Sequence, residues 1–214
     1  AAEPTSQAAA TPAASPLLAV TTFGAIADGK TVNTRPIQQA IDTAATRGGG
    51  TVFIPAGQWV TGALILKDNV TLHLDNGATL LGSTDLADYP PHKPAYHSLA
   101  DKYVRQALIH AEDAHNIAIV GRGTIDGRGS RSTWPISSKD SGYLRRPYLL
   151  WFVTCTHVHV EGITLRDSAM WVQHYLACDG VRIEGITVVS RCNANNDGID
   201  IDGCQRVRIA NCDI

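Results

Sequence analysis

Three stretches of the chain copy one another: His157-Val158-His159-Val160-Glu161-Gly162-Ile163-Thr164-Leu165, Gly180-Val181-Arg182-Ile183-Glu184-Gly185-Ile186-Thr187-Val188 and Arg206-Val207-Arg208-Ile209-Ala210-Asn211-Cys212-Asp213-Ile214. Asn116-Ile117-Ala118-Ile119-Val120-Gly121 opens a fainter copy. Val158 and Val181 are 23 residues apart, and Val181 and Val207 are 26 apart. The steps from Val70 to Ile117 and from Ile117 to Val158, 47 and 41 residues, read as two periods each. A period of about 20 to 30 residues, built of short strands with no helices between them, marks a stacked solenoid. The Leu and Asn spacing of a leucine-rich repeat is absent.

Alternation inside a copy assigns the faces. Val181 and Ile183 share the inner face, and Ile186 and Val188 continue it after a bend at Gly185. Arg182 and Glu184 point out. Stacked copies place His159, Arg182 and Arg208 in one outward column, with rungs about 4.8 Å apart. Cys155, Cys178 and Cys204 each stand three residues before the first valine of their copy, and Ala114 holds that place before Ile117. They should form a ladder at one corner; Cys192 and Cys212 are off that register. Five cysteines cannot all pair within one chain. Ladder spacing permits a disulfide between neighbours, but a column of buried thiols packing as small hydrophobes is the expectation taken.

Outward from the repeats, a helix signal comes first. Thr34 is positioned to cap it, Pro36 falls in its first turn, and Ile37, Ala40, Ile41 and Ala44 recur at helical spacing. Gly48-Gly49-Gly50 ends the pattern. Strands are expected at residues 51–54 and 70–74, with turns at Pro55-Ala56-Gly57 and Asn76-Gly77. Residues 1–16 are nearly all Ala, Pro, Ser, Thr and Gln, a composition that cannot bury a core. A flexible leader over residues 1–19 followed by one domain over 20–214 is therefore expected.

Hydrophobic residues make up 44% of the 214, charged residues 18%, and there are 19 glycines, a balance suited to short strands and tight turns. A net charge of -2 argues against a general nucleic-acid-coating surface, though not against a local basic cleft. No apolar run approaches the roughly 18 residues of a membrane span. The expected fold is a single-stranded right-handed parallel β-helix begun by an amphipathic capping helix.

The densest acid cluster is Asn193-Ala194-Asn195-Asn196-Asp197-Gly198-Ile199-Asp200-Ile201-Asp202-Gly203-Cys204, where a turn runs into a strand. Asp200 and Asp202 alternate with Ile199 and Ile201, so both face out, roughly 6.6 Å apart along the strand. That separation lies within the range for inverting glycosidases, but side-by-side projection leaves no place for a substrate between them. A solvated strand edge, with Asn and Gly serving the turn, reads the same residues. Calcium-loop spacing is missing, and no metal or cofactor is expected.

Asn195-Asn196-Asp197-Gly198-Ile199-Asp200 resembles the Asn-Thr-Asp-Gly-x-Asp signature of the polygalacturonases, family 28 of the glycoside hydrolases, with Asn196 where Thr is usual. Phe23-Gly24-Ala25, Asp28-Gly29, Asn33-Thr34, Gly48-Gly49-Gly50-Thr51-Val52, Ile54-Pro55-Ala56-Gly57, Gly123-Thr124-Ile125-Asp126-Gly127, Arg146-Pro147 and Trp171 through His174 resemble further family landmarks in order. The resemblance implies inverting hydrolysis of the α-1,4-galacturonosidic bonds of pectin. It makes Asp197 one of the carboxylates that activate water, and Asn195, Asn196, Asp200, Asp202 and His174 substrate-binding or supporting residues. It implies an acidic plant cell-wall polysaccharide as partner, secretion, and a monomer when complete. It also implies an Asp-Asp pair one rung later, then Gly-His-Gly and Arg-x-Lys; none occurs in these residues, so a fragment that is inactive alone is expected. A calcium-dependent pectate-lyase-like eliminase and a noncatalytic carbohydrate-binding or adhesion module remain the alternatives.

Overall fold

The structure, a computed structural model, describes residues 17–99, 104–135 and 145–214. Its strands fall into three parallel sheets that the chain visits in turn. The first stacks Leu17–Ala19, Gly50–Ile54, Val70–Leu74, His115–Gly121, Thr156–Glu161, Asp179–Glu184 and Arg208–Ala210. The second stacks Asp28–Val32, Gly57–Thr61, Ala78–Gly82, Thr124–Asp126, Thr164–Arg166 and Thr187–Val189. The third stacks Leu64–Ile65, Ala107–Glu112, Tyr148–Val153, Gln173–Leu176 and Asp200–Asp202. This is the parallel β-helix expected from the repeats, and the register follows them: Val158 opposes Val181 and Ile117, and Arg182 opposes His159 and Arg208.

Alternation explains the core. Val158, Val160, Val181 and Ile183 are at most 1% exposed and point into the coil, while Arg182 lies outside, paired with Glu184. On the outermost rung the same inward position is held by Ile209, which is 43% exposed. A left-handed residue stands near the start of five of the seven first-sheet strands: Asn69, Asn116, His157, Gly180 and Arg206 have φ between 50° and 75°. Asn116 Nδ2 donates to Asn69 Oδ1 at 3.0 Å, so two of these corners also bond rung to rung. The cysteine ladder stands at this same edge. Cys155 and Cys178 are buried, Cys204 is partly buried, and all five thiols are free. Asp179 N–H donates to the Cys155 carbonyl and Gln205 N–H to that of Cys178, repeating one corner geometry.

Helix α1 (Thr34–Thr46) buries Ile37, Ala40, Ile41 and Ala44 completely against the first rungs, as its spacing predicts. Thr34 is not its cap, however. Asn33 holds that position, and the Thr34 hydroxyl instead accepts the Gly62 N–H at 2.6 Å. The carboxamide of Asn33 does not cap either, because it is bonded to both backbone groups of Ile26. Leu17–Ala19 was placed in the leader by composition but pairs with Thr51, Val52 and Phe53 as a strand. Residues 1–16 lie outside the described residues.

The spacing expectation needs a second correction. Strand Val70–Leu74 pairs directly with His115–Gly121, which pairs directly with Thr156–Glu161. The 47- and 41-residue steps are therefore single rungs. Their extra length lies in residues 83–106 and 127–147, two excursions at the corner between the second and third sheets.

Candidate active site

The corner that carries both excursions also carries the acid cluster, since residues 190–199 link Thr187–Val189 to Asp200–Asp202. The excursions and the acid-bearing turn are thus stacked on one edge of the coil, and they bond to one another. Asn193, 8% exposed, donates through Nδ2 to the carbonyls of Gly129 at 3.0 Å and Trp134 at 2.9 Å, and its Oδ1 accepts the Ala194 N–H. Arg146, 1% exposed, donates to the carbonyls of Ala169 at 3.0 Å and Ala194 at 2.7 Å and to Asn195 Oδ1 at 3.0 Å. A buried guanidinium needs several such acceptors, and here they tie the turn to the excursion and to the rung below.

Asn196 is turned into the protein. Its Nδ2 donates to the carbonyls of Ser168 at 2.8 Å and Met170 at 2.9 Å, and its Oδ1 accepts the Asn193 N–H at 3.0 Å. The Cys192 thiol lies 3.5 Å from the same oxygen. Of the two neighbouring asparagines, Asn196 thus braces the turn from within, and exposed Asn195 is held by Arg146.

Asp197 follows directly. Its carbonyl accepts the Val172 N–H at 2.8 Å, which continues the third-sheet ladder and sets Asp197 opposite Trp171. Its side chain is exposed, and its carboxylate makes no hydrogen bond or ion pair among the described residues. Asp200 and Asp202 come next on the outer face, opposite His174 and Leu176. Asp202 is engaged: the Ser98 hydroxyl donates to Oδ2, and His174 Nε2 lies 3.7 Å from that oxygen. His174 is buried, packed edge-on against Tyr148 and Trp171 with ring centroids 5.6 and 5.2 Å away. Asp200 is half-buried beside it.

The structure therefore brings all six sequence-selected residues to one end of one sheet, in different settings. The Asp197 carboxylate is exposed and unbonded among the described residues, Asp202 is held by Ser98 with buried His174 beside it, and Asn195 and Asn196 are held by the scaffold. Sequence reasoning missed Ser98 and Asn193 as site-building residues and quoted Arg146 only as a landmark. Ser98 acts on Asp202 across 104 positions of sequence, which no local pattern reveals. Among the described residues no group of three or more His, Cys, Asp or Glu could hold a metal ion.

With this geometry in view, comparison with known proteins is informative. The family described as Glycosyl hydrolases family 28 matches residues 47–214. A probable polygalacturonase of Vitis vinifera is 32% identical over 89% of the chain. An exo-poly-alpha-D-galacturonosidase of Dickeya chrysanthemi is 31% identical over 90%. The chain spans 40% and 39% of those two relatives. Among solved structures, a family 28 exopolygalacturonase of Yersinia enterocolitica superposes with a TM-score of 0.82 at 31% identity, covering 92% of this chain and 43% of that one. An exopolygalacturonase of Thermotoga maritima gives 0.83 at 27%, covering 92% and 52%. A surface adhesin of Streptococcus pneumoniae gives 0.64 at 20% identity over 86% of this chain and 43% of that one, which shows the shared fold alone. Motif, stacking register and relatives agree, and the chain belongs to glycosyl hydrolases family 28.

Proposed function

We propose that the protein hydrolyses the α-1,4-galacturonosidic bonds of pectin with inversion, and that Asp197 is one of the carboxylates that activate the attacking water. The observation that carries this reading is the contrast at the site. A turn is braced by Arg146, Asn193 and Asn196, yet the carboxylate it presents is exposed and unbonded among the described residues. A general base must reach a water and keep a lone pair open for its proton, while its backbone stays fixed. Asp202 fits that role less well, because Ser98 already donates to it. Asp200, Asp202 and His174 are read as the groups that shape the acidic end of the site. The names of the curated relatives supply the polyuronate substrate. Secretion and action on plant cell-wall pectin, by a single chain, belong to the same reading.

The test is reducing-sugar release from polygalacturonate by the full-length enzyme that contains these residues, as wild type and as Asp197→Asn, with circular dichroism to show that both are folded. Loss of a positioned base should lower the rate by about 10²-fold or more. Proton NMR during the first turnovers should show a new reducing end of inverted configuration. An unchanged rate removes Asp197 from the mechanism, and retention of configuration removes the inverting pathway.

A further inference from the structure

The cysteine ladder stands at the corner between the third and first sheets, away from the corner that carries the acid turn. The residue before each ladder position is left-handed: Asp113, Thr154, Ala177 and Gly203 have φ of 54°, 49°, 51° and 63°. Ala114, Cys155, Cys178 and Cys204 follow them directly, so four rungs copy one corner conformation. The amides agree. Thr156 N–H donates to the Ala114 carbonyl, Asp179 N–H to that of Cys155 and Gln205 N–H to that of Cys178, each at 2.9 Å. Copied corners hold equivalent Cα atoms one rung, or about 4.8 Å, apart with their Cβ bonds side by side. A disulfide needs Cα atoms about 4.4–6.8 Å apart and Cβ bonds that do not diverge.

The sulfurs lean from rung to rung. Cys204 Sγ accepts the Cys178 N–H at 3.3 Å, and Cys178 Sγ donates to the Phe152 carbonyl, on the rung of Cys155, at 3.4 Å. The Cys178 thiol interacts with the thiols of Cys155 and Cys204 on either side. The hydrogen bond from Cys178 holds the Cys204 thiol below its ordinary pKa, which favours the thiolate there. Cys155 and Cys178 are 0% and 1% exposed, whereas Cys204 is half-buried and is the sulfur a reagent can reach. Cys155 is shut in and donates to the Val153 carbonyl of its own rung at 3.3 Å.

We propose that Cys178 and Cys204 form a reversible disulfide that closes one turn of the coil, with a small-molecule disulfide of the glutathione class as oxidant. The bond spans a step of 26 residues that holds the whole acid turn, Asp197 included. The Cys204 thiolate attacks one sulfur of the oxidant, forms a mixed disulfide and expels the first small thiolate. Cys178 Sγ then attacks Cys204 Sγ, and its proton goes to the second small thiol as that group leaves. Two cysteine thiols are oxidised to one disulfide, and the oxidant is reduced to two thiols. Cys178 can pair only once, so Cys155 stays a thiol. Side-by-side Cβ atoms must close from about 4.8 Å to roughly 3.5–4.5 Å, which draws two rungs together and leaves a bond that a reductant opens readily. The disulfide stands or falls independently of the reaction at Asp197.

The test treats the full-length enzyme that contains these residues with glutathione disulfide, alkylates it with iodoacetamide and maps the digest by mass spectrometry. The peptides of Cys178 and Cys204 should be joined, Cys155 should be alkylated, and dithiothreitol should separate the pair. The oxidised enzyme should melt about 5 °C higher, because a closed loop restricts the unfolded chain. Cys204→Ala should abolish both effects, and Cys155→Ala should leave both in place. Alanine already occupies the fourth ladder position as Ala114, so the fold should accept it. Alkylation of both Cys178 and Cys204 after the oxidant, or glutathione retained on Cys204 with no internal bond, overturns the proposal. A link between Cys155 and Cys178 overturns the assignment of the pair, and a joined pair with an unchanged melting temperature overturns the closure of the turn.

Discussion

Asn196 commits both ends of its carboxamide to the surrounding chain, while Asp197 beside it commits only its backbone. Single side chains set that division, and the proposed function reads it as one between brace and reagent. His110 shows the same dependence on setting. It stands on the third sheet under His92, and burial, with the neighbouring His92 as the lesser cause, pushes its pKa down to about 4 from 6.5. The unfolded chain therefore binds a proton between those values that the folded chain refuses. Stability from keeping His110 neutral is present above about pH 6.5 and is lost as pH falls toward 4, by on the order of 3 kcal/mol in all. Denaturant unfolding from pH 7.5 to 4 should show this slope, and His110→Gln should flatten it. An unchanged slope in the variant would place the acid sensitivity elsewhere.

At the scale of the strand and corner, the repeats were legible because each inward position must be apolar on every rung. Val158, Val181 and Val207 announce the register before any coordinate is known. What could not be read was how much chain separates one rung from the next. An excursion leaves the ladder intact wherever it departs, so a 47-residue rung is indistinguishable from two short ones in the pattern of strands. The acid turn was legible for a different reason: the family signature crowds into it. Its braces were not, since Arg146, Asn193 and Ser98 act across long sequence separations. Corners carry their own constraint. Gly121 has φ of 120°, and a Cβ there would lie 2.0 Å from the Leu74 carbonyl oxygen. Gly121→Ala must push two rungs apart, and thermal unfolding should show a loss of more than about 2 kcal/mol. A variant as stable as wild type would mean that this corner can relax.

The described residues form one coil, and the proposed function places the chemistry on one of its edges. The reaction proposed there relies on carboxylates and water, so an excess of chelator should leave the full-length enzyme's rate on polygalacturonate unchanged. The products should gain no ultraviolet absorbance, because hydrolysis creates no double bond. Chelator-abolished activity with absorbing products would assign the protein to elimination instead. The long links between second- and third-sheet strands begin after Gly82, Asp126 and Val189, all at one corner, while the opposite corners keep tight links. The closure cost of a loop grows only slowly with its length, by about 0.6 kcal/mol per doubling. Insertions and deletions at this corner therefore fall on the walls of the site and spare the ladder that folds it. Lineages can diverge in what they grip while inheriting the same spine, and an engineer seeking a new specificity has three adjacent places to graft.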